Sequence, residues 1–154
     1  MSRTDVCVRF ARRLLCLIVA AVGVSACGPT ISKYNATAYE QATSLKVEST
    51  SLMEEATEPY KKHAEDVRAL EERLEKAHEF AKGRPNNEIS AKQWEILIDQ
   101  DGNLLGGFLE RWERKSSLNE AFVSQKQDQI ADAFDTIIQL ESGKIKPEDV
   151  REGS

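Results

Sequence analysis

Small and apolar residues recur along residues 38–81 in steps of four and three. They are Ala38, Ala42, Leu45, Ser49, Leu52 and Ala56, then Val67, Leu70, Leu74, Ala77 and Ala81. This is the spacing of a heptad seam, which draws one narrow stripe along a helix. The phase continues across Pro59 and His63. Continuity of phase predicts one long helix kinked at Pro59, because proline removes a hydrogen bond and clashes with the carbonyl of Glu55. A true turn is the alternative, without the usual Gly or Asn to make it.

Further along, Gly83-Arg84-Pro85-Asn86-Asn87 ends this helix. Trp94, Leu97 and Ile98 follow, then the turn Asp99-Gln100-Asp101-Gly102-Asn103, then Leu105, Phe108, Leu109 and Trp112 at helical spacing. A last stripe of Phe122, Ile130, Phe134, Ile137 and Ile138 runs to Gly143. Thr37-Ala38-Tyr39-Glu40, Ser90-Ala91-Lys92-Gln93 and Ser117-Leu118-Asn119-Glu120 have capping-box spacing at three helix starts. No stretch alternates long enough to make a strand. The expected fold is all-α, an elongated helical bundle. In it a long helix kinked near Pro59 packs with a short helical hairpin and a second long helix. If Pro59 only kinks, the first helix extends to about 70 Å at 1.5 Å per residue. Equal lengths for residues 36–57, 59–82 and 118–141 would instead suit a bundle with the Trp94–Trp112 hairpin over one end. The helical domain spans residues 37–143, and 144–154 form a charged flexible tail. Alanine-rich seam residues bury little area, so the half containing residues 38–56 is expected to be weak or to complete its packing with a partner.

A different apolar pattern lies at the start of the chain. Arg9, Arg12 and Arg13 precede Leu14-Leu15-Cys16-Leu17-Ile18-Val19-Ala20-Ala21-Val22, and Val24-Ser25-Ala26-Cys27 closes the run ahead of Gly28-Pro29. A basic segment, a short apolar run and a small-residue cleavage site mark an export signal. The 13 residues of 14–26 are short of the about 20 that a membrane span needs. The segment resembles the lipobox of bacterial lipoproteins, over the first 27 residues only. The resemblance implies a cleaved signal at 1–26 and lipid on the sulfur and amine of Cys27. It also implies a lipidated tether over 27–36. Gly28 after the cysteine resembles outer-membrane sorting, given a two-membrane envelope, with the domain facing the periplasm. Each acyl CH2 contributes about 0.8 kcal/mol to anchoring, so two or three chains hold effectively permanently.

Removing the signal changes the composition. The chain carries a net charge of −5, and residues 1–26 hold Arg3, Arg9, Arg12 and Arg13 against Asp5, which leaves −8 on the mature part. That balance argues against nucleic acid as a partner. Cys7 and Cys16 leave with the signal, so no disulfide framework remains.

Candidate chemistry is sparse. Asp99, Asp101, Asn103 and Glu110 fall at positions 1, 3, 5 and 12 of a calcium loop, but Leu104 replaces the sharp-turn glycine at position 6. An Asp-Gly-Asn turn between helices is also common without metal. Gly106-Gly107 permits close approach of a ligand or of another backbone. Trp94, Phe108 and Trp112 line a pocket or fill a core. His63 and His78 lack the spacing of a zinc pair and the company of a mature thiol. No nucleophile, acid and base converge, so no enzymatic activity and no cofactor beyond the Cys27 lipid are expected.

The expected role is a non-enzymatic protein-interaction or structural module, or one that self-associates. Its candidate partner surface comprises Leu45, Leu52, Val67, Leu70, Leu74, Trp94, Phe108 and Trp112. A ligand- or ion-binding lipoprotein using the Trp94–Trp112 region is a second class, and an immunity or exclusion lipoprotein a third.

Overall fold

The structure is a computed structural model and describes residues 34–146 and 149–150. The expected signal, Cys27 and most of the expected tether lie outside the described residues. The described part is all-helical, with no strand. Its helices are α1 (Ala36–Glu54), α2 (Ala64–Lys82), α3 (Glu88–Ile98), α4 (Leu105–Lys115) and α5 (Glu120–Ser142), with short 3-10 turns at Glu55–Thr57 and Tyr60–Lys62. None of these helices is long and apolar enough to cross a membrane.

The seam phase is right, but the expected kinked helix is not what forms. α1 stops at Glu54, Glu58 and Pro59 are extended (ψ 164° and 124°), and α2 starts at Ala64. The two helices then pack antiparallel, and Arg73 Nη2 reaches Glu48 Oε2 at 3.0 Å. Twenty-five residues of continuous helix would hold that pair about 37 Å apart. The reversal is fixed from outside. Leu118 N–H donates to the Ala56 carbonyl (2.8 Å), Tyr60 N–H donates to the Ser116 carbonyl (2.7 Å), and the Trp112 indole donates to the Glu58 carbonyl (3.0 Å). A heptad phase survives a reversal of direction because both arms face one core.

α5 returns antiparallel to α1, joined by Lys46 with Asp135 at 2.6 Å and by the Gln127 amide donating to the Thr50 carbonyl at 2.9 Å. α3 descends beside α2 and α5, where Trp94 meets Phe134 edge-on at 5.9 Å. α4 continues down to the α1–α2 turn. The fourth side of an up-and-down bundle is therefore split between α3 and α4. The expected hairpin over one end fills this side instead. Close packing at the split requires two glycines. A Cβ on Gly106 would stand 2.2 Å from the Ile98 carbonyl oxygen, and one on Gly107 1.9 Å from that of Gly102.

Helix starts lie two or three residues from the expected boxes. Asn35 caps α1 by accepting from Ala38 N–H (3.0 Å), and Asn119 caps α5 by accepting from Phe122 N–H (2.8 Å). Asparagine ranks with serine and above threonine at this position, and both lie just upstream of the hydroxyl or within its box. Ser90 lies inside α3, which starts after Asn87. The ends fit expectation. Gly83 follows α2, and Gly143 closes α5 in the left-handed conformation (φ 70°).

Candidate functional site

The residues expected to meet a partner are turned inward. Leu45, Val67, Leu70, Leu74, Trp94, Phe108 and Trp112 are buried in the chain's own core, and Leu52 is partly buried against it. This corrects the partner-surface expectation. The stripes that face one another across the bundle satisfy each other, including the small residues Ala38 and Ala42, so the alanine-rich half needs no outside partner to be covered. The exposed large apolar side chains among the described residues are Tyr34, Val47 and Ile96. A shallow groove of about 310 Å3 runs between α1 and α2, lined by Gln41, Ser44, Leu45 and the charged Glu40, Glu48, Arg73 and Lys76.

The weak calcium candidate in the Asp99 loop has its oxygens engaged within the fold. Asp99 spends its carboxylate on Asp101 N–H (3.1 Å), and the Asn103 carbonyl accepts from the Lys126 ammonium (2.8 Å). Asp99, Asp101 and Glu110 do not gather their oxygens within 4.8 Å of one another. The cleft beside this loop, about 480 Å3, is lined by Arg111, Arg114 and Lys126 as well as by Asp101 and Glu110. Three cations there oppose a metal ion. Phe122 stacks on Phe108 at 6.1 Å and carries the Arg111 guanidinium over its face at 4.4 Å.

Two groupings escaped the sequence reading. The first is a buried polar cluster at the end of the bundle where α1 begins. Glu141 is almost fully buried on α5; Arg84 pairs with it, Ser90 Oγ donates to it at 2.5 Å, and the Asn87 amide lies 3.4 Å away. The cluster ties α5 to the α2–α3 connection. Its signal was present in the sequence. Ile130, Phe134, Ile137 and Glu141 keep steps of four and three, so a charge falls on the apolar stripe.

The second lies at the opposite end, in the α1–α2 turn. The His63 ring packs on Trp112 with centroids 5.5 Å apart, and its Nε2 is 3.2 Å from Glu58 Oε2. Tyr60 meets the same indole edge-on at 5.6 Å. The Lys62 ammonium, bonded to Glu58 at 3.1 Å, and then His63 hold the Glu58 carboxyl below its ordinary value. Burial, and then the charge of Glu113, raise the Tyr60 phenol. Glu71, beside a cavity of about 280 Å3 between α2, α4 and Gln100, is raised by burial first and by Glu113 second.

Comparison with protein-family models, curated proteins and solved structures finds no match for this chain.

Proposed function

We propose that this chain is a small non-enzymatic lipoprotein of the bacterial envelope. Lipid on Cys27 holds it on the periplasmic face of the outer membrane, where it acts as a protein-interaction or structural module. The observation that carries this reading is Val24-Ser25-Ala26-Cys27 at the end of a short apolar run with arginines before it. The distance from the anchor to the fold supports it. Asn35, which caps α1, comes eight residues after Cys27, so the tether spans at most about 28 Å. A bundle held that close presents its sides and its far turn to neighbouring proteins.

The interaction surface belongs to outward faces, because the seam is occupied internally. Val47 on α1, Ile96 on α3 and the mixed-charge α1–α2 groove are the places to look. A ligand pocket among the aromatics has lost its support, since Trp94 and Trp112 are core residues.

The test is the intact mass of the native protein from cells. The reading requires a chain that begins at Cys27 and carries diacylglycerol and an amide-linked acyl chain. Cys27→Ala is expected to leave a larger precursor with its leader attached. A native mass with the leader intact, or without lipid, ends the reading. Crosslinking the anchored protein through residue 47 or 96 then identifies the neighbour.

A further inference from the structure

We propose that the α1–α2 turn is a binding site for a divalent transition metal of the zinc class, with Glu55, Glu58 and His63 as its ligands. A donor atom from each of these three side chains lies within 4.8 Å of the other two. His63 Nε2 and Glu58 Oε2 are 3.2 Å apart. A tetrahedral ion with bonds of about 2.0–2.1 Å sets its ligand atoms about 3.3 Å from one another. One edge of the coordination polyhedron is therefore already in place. Glu55, exposed and three residues before Glu58, closes the third corner by turning its carboxylate. Solvent takes the fourth position, as in three-ligand zinc sites. One imidazole with two carboxylates selects zinc, copper or nickel over calcium or magnesium, which take oxygen alone.

What raises this cluster above other acidic groups is its rigidity. The Glu58 carbonyl accepts the Trp112 indole hydrogen bond, and Tyr60 and Ala56 are pinned to Ser116 and Leu118. The imidazole rests on a fully buried indole. The backbone and the ring are thus held by the core before metal arrives, and binding orders only two carboxylate arms. The Lys62 ammonium shares Glu58 Oε2 and must move aside. Both side chains are about half exposed, 61% and 45%, so the ammonium exchanges a weak surface pair for water. Glu75, His78 and Glu79 gather similarly on α2. There the Glu79 carboxylate is held by Lys82 at 2.5 Å, closer than the 3.1 Å between Lys62 and Glu58. This second cluster serves as the internal comparison. The inference does not rest on the anchor.

The test titrates zinc chloride into the isotope-labelled full chain in detergent, read by calorimetry and by NMR of the imidazole rings. The chain has two histidines, so each ring reports separately. One-to-one binding is expected, with the His63 ring signals shifted and those of His78 unmoved. Glu55→Gln, at an exposed position that the fold does not use, is expected to weaken binding at least about tenfold. Saturating zinc is expected to raise the melting temperature, because the unfolded chain lacks the site. Absence of binding at millimolar zinc overturns the proposal. So does a shift confined to His78, or unchanged affinity in Glu55→Gln.

Discussion

Two polar residues on apolar stripes meet opposite fates. Glu141 is buried with Arg84, Ser90 and Asn87 around its carboxylate. Ser49 is fully buried between Leu45 and Met53, and its hydroxyl has no hydrogen-bond partner. A buried, unpaired hydroxyl costs about 1–3 kcal/mol of desolvation that nothing returns. Ser49→Ala removes the hydroxyl and adds no volume. It is expected to stabilise the fold by about 1 kcal/mol, read as a higher urea midpoint at unchanged slope. The sequence placed Ser49 on the seam correctly because its position follows the heptad. Whether a hydroxyl there finds an acceptor depends on the facing helices, which no local pattern describes.

At the scale of elements, Pro59 decides less than its neighbours do. It sits at φ −61°, ψ 124°, between two one-turn 3-10 segments, and α1 and α2 already lie side by side. Pro59→Ala is therefore expected to leave far-UV circular dichroism unchanged. It should cost about 0.4–1 kcal/mol by giving the unfolded chain more freedom. A gain of helical signal would mean that the two arms can fuse, against the packing described. The phase across residues 38–81 was legible and is correct for nearly every buried position, with Met53 rather than Leu52 facing inward at the end of α1. The reversal was not legible. Its restraints come from Ser116, Leu118 and Trp112, more than 50 residues away in sequence. The Gly106-Gly107 pair shows the same limit. Small residues announced a close approach, and only the fold showed that the α3–α4 loop backbone makes it.

For the whole molecule, charge is shared unevenly between sites that assembly creates. Glu71 on α2 is brought near Glu113 and Glu110 of α4 and is partly withdrawn from water. Burial first, then these charges, raise its carboxyl above the ordinary 4.5, while a hydrogen bond from Gln100 opposes the shift. The folded state then binds this proton more tightly than the unfolded chain does. The group accordingly disfavours folding at neutral pH, and that effect disappears as pH falls below about 4.5. Glu71→Gln is expected to raise the melting temperature at pH 7, by a margin that shrinks toward zero on acidification. Paired melts of the two proteins across that range check the sign.

The sequence by itself determined the helical class, the stripes that become the core, the glycine ends of α2 and α5, and the apolar run of residues 14–26 ahead of Cys27. Each is a property of neighbours within a turn or two, where spacing fixes which side chains share a face. Tertiary structure decided the direction of α2 after residue 54, the burial of Trp94 and Trp112 and the engagement of the Asp99 loop's oxygens within the fold. It also assembled the Glu141 cluster and drew Glu55, Glu58 and His63 together. Those outcomes depend on which faces are brought into contact over long separations, and one-dimensional periodicity carries no record of that choice.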